Sequence, residues 1–146
     1  MTGTNVHRSV RRSNDGRRER VVGASCVGEQ AIPLVSKLFR ANKRLQDCLT
    51  TDSAHVTPGS RGQHVALIQY AVLSLESGEI SGVEIQSQTY GPTTARTVLA
   101  YKARRKIINT AYQQAPDNIV GRMTIAALDF DMVLAEFAEF AQDNMP

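Results

Sequence analysis

The sequence predicts an all-α fold: a small three-helix bundle with additional N- and C-terminal helices. Three observations lead to this prediction. Apolar residues recur at helical spacing in four segments, strand and helix patterns do not alternate along the chain, and 146 residues are enough for one domain with its own core. Residues 1–30 combine Arg, Ser, Gly and Asn without a sustained period. We therefore expect a disordered basic arm there and a helical domain over residues 31–146.

Charge is concentrated in the arm. Residues 1–20 contain six Arg against one Asp and one Glu, a net charge of +4, whereas the whole chain carries +3. The helical domain is therefore close to neutral, which argues against nucleic-acid binding by that domain and leaves polyanion binding by the arm as an alternative function. No segment approaches the roughly 18 apolar residues of a membrane span, and no standard signal peptide is recognisable. We expect a chain that is cytoplasmic at synthesis, and periplasmic or extracellular if a non-classical route delivers it.

An apolar stripe at steps of four and three residues predicts the first helix. Its members are Leu34, Leu38, Ala41, Leu45 and Cys48. A thiol on such a stripe is more typical of a small core residue than of a nucleophile, so we interpret Cys48 as core. Cys26 lies in the arm. We expect two independent thiols, and a single bridge between them stays open.

The second helix has the clearest signals. Ser60 stands three residues before Gln63, the spacing of a capping box, in which each side chain bonds a free backbone N–H at the helix start. An apolar stripe follows; its members are Val65, Ile68, Val72 and Leu75. Residues 77–90 are rich in Ser, Gly and Gln and are predicted to form a loop, with one short strand or hairpin arm.

Two further turns each precede a helical run. Gly91 and Pro92 begin the third helix, because proline suits the first helical position. Its inward residues are predicted to be Ala95, Val98, Leu99 and Tyr101. A turn at residues 115–118 leads to a closing helix, in which a break at residues 129–131 stays open. The inward stripes of the closing helix are predicted to be Ile125, Leu128 and Met132, and then Val133, Phe137 and Phe140.

Three motifs occur in order along residues 59–129. They are Gly62-x-x-Val65-x-x-Ile68-Gln69, Tyr90-Gly91-x-x-Thr94 and Asp117-Asn118-Ile119-Val120-Gly121-x-x-Thr124. Together they resemble the peptidoglycan-binding-like domain family, small three-helix modules appended to bacterial and phage enzymes that act on the cell wall. The resemblance implies the same bundle, in which a glycine lets the chain reverse into a helix and a threonine closes the turn. It implies structural roles for Gly62, Gln69, Gly91, Asp117, Gly121 and Thr124.

Six residues form the candidate ligand site that follows if the module binds a wall fragment. They are Tyr90, Thr93, Thr94, Arg96, Tyr101 and Lys102. The two tyrosines could stack on sugar rings, and the helix start after Gly91 offers N–H groups that suit a carboxylate. The two basic side chains could add positive charge. Two alternatives stay open: Tyr101 as a core residue and Lys102 as a solvated surface residue.

The resemblance implies a non-catalytic module that recognises a peptidoglycan glycan or stem peptide. Such a module would hold a partner, either a wall-active enzyme or a secretion component, near the wall. His7, His55 and His64 show no metal-ligand spacing, and no Ser, Cys or carboxylate stands in the context of a nucleophile or an acid–base pair. We therefore expect no enzyme activity, no metal and no cofactor. The alternative from another class is an adaptor or effector component that binds another protein.

Overall fold

The computed structural model of the chain describes residues 32–111 and 113–146, so the predicted arm and Cys26 lie outside the described residues. The described residues form five α-helices. They are α1 (Lys43–Asp47), α2 (Gln63–Leu75), α3 (Gly82–Gln86), α4 (Pro92–Arg105) and α5 (Arg122–Asn144). A short 3-10 helix spans Asp52–Ala54. The predicted all-α class is confirmed, and none of the described helices combines the length and apolarity needed to cross a bilayer.

The core forms where α2 packs against α4 and α5. Its fully buried members are Val65, Ile68 and Val72 from α2, Val98 and Tyr101 from α4, and Ile125 and Leu128 from α5. Burying each large apolar side chain contributes about 1.5–3 kcal/mol, so this packing fixes the starts of α4 and α5 relative to α2. Leu99, predicted to face inward, is exposed, because it lies one position away from the face that Val98 and Tyr101 share.

The first predicted helix is much shorter than its apolar stripe. α1 begins only at Lys43, because the extended backbone of Asn42 caps the helix and its Oδ1 accepts a hydrogen bond from the Leu45 N–H at 3.1 Å. Ala41 therefore precedes the helix and is exposed, contrary to the prediction. Cys48 is a free, fully buried thiol, as its position on the stripe predicted.

The backbone N–H groups of residues 35–37 donate to side chains of α5 and not to backbone carbonyls. Asp129 accepts from the backbone N–H groups of Val35 and Ser36, the latter at 2.8 Å, and Glu136 accepts from the Lys37 N–H at 3.0 Å. The acceptors lie 93 and 99 residues further along the chain than Ser36 and Lys37. A helical period in the local sequence therefore did not reveal them.

The predicted capping box at α2 is wrong. Ser60 Oγ accepts instead from the Thr57 N–H at 3.2 Å, inside the turn that precedes the helix. Gly62 is the residue before the first helical turn, and its φ of +133° is a backbone conformation that other residues rarely adopt. A glycine is therefore required there by the path of the chain.

The segment before α4 contains a helix where a loop with a short strand was predicted. α3 begins after Ser81, whose hydroxyl accepts from the Val83 N–H at 3.3 Å. Thr89 forms only an isolated antiparallel bridge with Arg61. This short helix is important for the site because it carries Glu84.

α5 continues through residues 129–131 without a break. Its first half is buried through Ile125, Leu128 and Met132, as predicted. Phe137 and Phe140 were predicted to face inward but are exposed, because no described element covers them. Amphipathic spacing marks one face of a helix but does not show how far the neighbouring helices extend along it.

Candidate functional site

Two helix starts in this chain have the same geometry. Gly91 precedes α4 with φ −97° and ψ −170°, and Gly121 precedes α5 with φ −104° and ψ −164°. Three residues later come Thr94 and Thr124, which are 0% and 2% exposed. The Gly-x-x-Thr spacing therefore produces a structural repeat. In each copy, the backbone N–H groups of the first helical turn have no partner within the helix and can bond an acceptor placed at the helix start.

The start of α4 is occupied by a carboxylate of the protein itself. Glu84 accepts hydrogen bonds from the backbone N–H of Thr93 at 3.0 Å, from the N–H of Thr94 at 2.8 Å and from the Thr94 hydroxyl at 2.7 Å. Gly91 is required by this contact, because a Cβ there would lie 2.5 Å from Glu84 Cδ. The prediction that this helix start takes an external carboxylate is wrong, since Glu84 fills it.

The hydrogen bonds change the acidity of Glu84. Desolvation alone would raise the pKa of this carboxyl, but the bonds from Thr94 and Thr93 favour the ionised form more strongly and lower the pKa from 4.5 to about 2. Gln69, which is buried, supports the same turn by donating to Thr89 O and Thr94 Oγ1, each at 3.0 Å. The start of α4 is therefore a closed polar cluster.

The two tyrosines predicted to stack on a ligand lie in the core. Tyr90 and Tyr101 are fully buried, so neither ring offers a face to a sugar, and the core alternative holds for Tyr101. The Tyr90 hydroxyl donates to the Asn118 carbonyl, and the Tyr101 hydroxyl donates to Asp131 Oδ2 at 2.8 Å. Burial raises the pKa of both phenols. Their role in this conformation is structural.

Lys102 is buried and does not lie on the solvated surface. Its ammonium group donates to Asp117 Oδ1 and to the Ile119 carbonyl at 2.9 Å, and it thereby fixes the loop before α5. Desolvation would raise the pKa of Asp117, but the hydrogen bond from Lys102 and those from Ile119 N–H and Gln113 lower it. Arg96 is exposed and bonds to no other described residue.

A cleft of about 460 Å³ opens at the start of α5. Its polar lining includes His55, Lys102, Asn109, Asp117, Arg122 and Thr124. The His55 ring packs on Gly121, where a Cβ would lie 3.2 Å from the ring carbon Cε1. Its Nε2 is buried, lies 3.5 Å from Asp52 Oδ1 and makes no hydrogen bond within the described part of the chain.

The predicted site residues do not include this cleft. His55 was considered only as a metal ligand, although just 26% of its side chain is exposed, and neither Arg122 nor Asn109 was singled out. The available signal was the repeat of the Gly-x-x-Thr spacing at residues 121–124, which marked a second helix start. Within residues 32–111 and 113–146, no group of three or more His, Cys, Asp or Glu side chains could hold a metal ion.

Comparison with protein-family models, with curated proteins and with solved structures found no match. The cleft is therefore interpreted from its own chemistry.

Proposed function

We propose that this chain is a non-catalytic recognition module that binds a peptidoglycan glycan or stem peptide and holds a partner activity near the cell wall. The observation that carries the proposal is the cleft of about 460 Å³ at the start of α5. A concave site with a few convergent polar groups is the usual form of a small-ligand site. In this proposal α2, α4 and α5 are the three helices of the peptidoglycan-binding-like bundle.

The lining of the cleft suits a polar, partly anionic ligand. Asn109 and Arg122 supply hydrogen-bond donors, and Lys102 neutralises Asp117 at the wall of the cleft. The half-exposed Met123 side chain offers an apolar contact beside them. Sugars and short peptides present this same mixture of hydroxyl, amide, carboxylate and small apolar groups.

Co-sedimentation with purified sacculi tests the proposal. We expect the full chain to appear in the pellet at low and moderate salt, and Arg122→Glu to lower the bound fraction several-fold, because Arg122 lines the cleft. Arg96→Glu is the matched control: it makes the same charge change on an exposed residue outside the cleft lining. A chain that stays wholly in the supernatant, or equal losses in both variants, would contradict the proposal.

A second candidate function is supported by the outer face of α5. Phe130, Leu134, Phe137 and Phe140 are between 54% and 69% exposed, and the first three share one helix face. From Phe130 to the end of the chain there are four Asp or Glu residues and no Lys or Arg. Asp131 pairs with Arg105 and Glu136 bonds to residues 37 and 38, so Glu139 and Asp143 are the two exposed carboxylates. We propose as the alternative that this row docks an amphipathic helix of another protein that carries Lys and Arg beside its apolar face.

Calorimetry with two synthetic helices tests this alternative. We expect an 18-residue amphipathic Leu–Lys helix to bind and a Leu–Glu helix of the same pattern not to bind, because only the first complements the carboxylates. Phe137→Ser should weaken the binding, whereas Val83→Ser, which removes an exposed apolar side chain from α3, should not. Equal binding of both peptides, or no effect of Phe137→Ser, would contradict the adaptor function.

A further inference from the structure

We propose that the start of α5 binds a carboxylate of the ligand, in the position that Glu84 takes at the start of α4. The inference deepens the proposed wall recognition and rests on it for the source of the carboxylate, the C-terminus of a stem peptide. The chain holds two copies of one helix start. The protein's own side chain closes the first copy, and the second copy faces the cleft.

The donors of the two helix starts correspond one to one. At α4 the carboxylate accepts from the N–H groups of Thr93 and Thr94 and from the Thr94 hydroxyl. At α5 the equivalent donors are the N–H groups of Met123 and Thr124 and the Thr124 hydroxyl. None of these bonds an acceptor in the part of the chain that the structure describes. Arg122 adds one more N–H, because α4 has Pro92 at that position and a proline has none.

Two side-chain groups without hydrogen-bond partners among the described residues point to a ligand independently of the repeat. Thr124 is 2% exposed and lines the cleft, yet its hydroxyl donates to no described group, whereas the hydroxyl of Thr94 is bonded to Glu84. The buried Nε2 of His55 also has no hydrogen-bond partner among the described residues, and it lies 3.4 Å from where a Cβ of Gly121 would be. Polar groups in a protein interior are normally hydrogen-bonded, so an acceptor bound in the cleft would complete the bonding of the Thr124 hydroxyl.

The charges around the cleft permit an anion there. Asp117 is paired with the buried ammonium of Lys102, so its charge is locally neutralised. Asp52 has an exposed side chain whose charge is screened by water, and it makes no hydrogen bond to the N–H groups of α5. The N-terminal end of α5 and the guanidinium of Arg122 supply positive potential.

A titration of the full chain, followed by amide chemical shifts, tests the inference. The probes are N-acetyl-D-alanyl-D-alanine and its C-terminal amide, which differ only in the carboxylate. We expect the N–H signals of Met123 and Thr124 to shift and saturate with the acid, and the amide to bind at least about tenfold more weakly. Equal binding of the two probes, or shifts at Thr93 and Thr94 instead, would overturn the inference.

Substitutions of Thr124 test whether its hydroxyl contributes to binding of the carboxylate. Thr124→Val should weaken binding of the acid about tenfold, and Thr124→Ser should retain it, because serine keeps the donor. If Thr124→Val does not fold, the comparison of acid and amide on the unchanged protein still decides the question. Sacculus binding without any response to the acid would overturn this inference and leave the proposed function standing. A saturating response without sacculus binding would support the carboxylate site and contradict wall recognition.

Discussion

Replacing Glu84 by glutamine is the sharpest test of how the start of α4 is closed. The substitution keeps the shape of the side chain but removes its negative charge. The carboxylate of Glu84 accepts three hydrogen bonds, two from backbone N–H groups and one from the Thr94 hydroxyl. The single oxygen of the glutamine amide can still accept a hydrogen bond, but the NH₂ group in place of the other carboxylate oxygen cannot accept one. We therefore expect a folded but less stable protein.

The pKa of Glu84 sets the size of the effect. It falls from 4.5 to about 2 on folding, which corresponds to at most about 3.4 kcal/mol of stability at neutral pH. The side chain is partly exposed, and screening by water reduces the expected loss in Glu84→Gln to about 2 kcal/mol. Because the folded pKa lies below the unfolded one, this stability is present above pH 4.5 and is lost as the pH falls toward 2.

Urea unfolding followed by circular dichroism measures the free energy of unfolding at pH 7 and pH 3. The difference between the unchanged protein and Glu84→Gln should be about 2 kcal/mol at pH 7 and less than about half of that at pH 3. Glu139→Gln is the control, because Glu139 is exposed and bonds to no other described residue; it should change stability by less than about 0.5 kcal/mol. A loss below 0.5 kcal/mol at pH 7, or an equal loss at both pH values, would refute the reasoning.

Three further predictions use the same unfolding assay or a thiol assay. Gly91→Ala should lower the free energy of unfolding by about 2 kcal/mol, because the new Cβ displaces the Glu84 carboxylate from the start of α4. Gly121→Ala should lower it by less than about 1 kcal/mol, because the nearest atom of the His55 ring is 3.2 Å away. Equal losses in the two variants would contradict the steric argument. Tyr101→Phe should lower the free energy of unfolding by about 1–2 kcal/mol, because the hydrogen bond from the phenol to Asp131 is lost. An unchanged midpoint of the urea transition would count against that hydrogen bond. Burial raises the pKa of Cys48 to about 11, so iodoacetamide should label Cys48 at pH 8 only after unfolding. Peptide mapping separates this label from that on Cys26, and rapid labelling of Cys48 in the native protein would show that its thiol is accessible.

The two helix starts show how far the sequence can predict a site. The Gly91-Pro92 pair and the turn at residues 115–118 were enough to predict where α4 and α5 begin, because the caps and the first turn of a helix depend on residues only a few positions apart. They did not predict which start is closed. Glu84 reaches the first one from a segment whose Ser, Gly and Gln content indicated a loop, and the contact depends on the position of α3.

The candidate ligand residues show what helical spacing alone does not predict. A tyrosine or a lysine on a helix has the same spacing whether its side chain meets solvent or the core, so periodicity left the roles of Tyr101 and Lys102 open. Packing places the phenol against Asp131 and the ammonium against Asp117. Both partners lie on later parts of the chain that local sequence does not bring near.

The sequence by itself determined the helical class and the starts of α4 and α5, because these depend on side chains within one or two turns of each other. Only the tertiary structure decided that residues 35–37 bond to α5, that one helix start is occupied by Glu84 and that the other faces a cleft. The physical reason is that a carboxylate and the N–H groups it accepts from meet in space, and Asp129 meets Ser36 across 93 residues of chain. No local period records a contact of that kind.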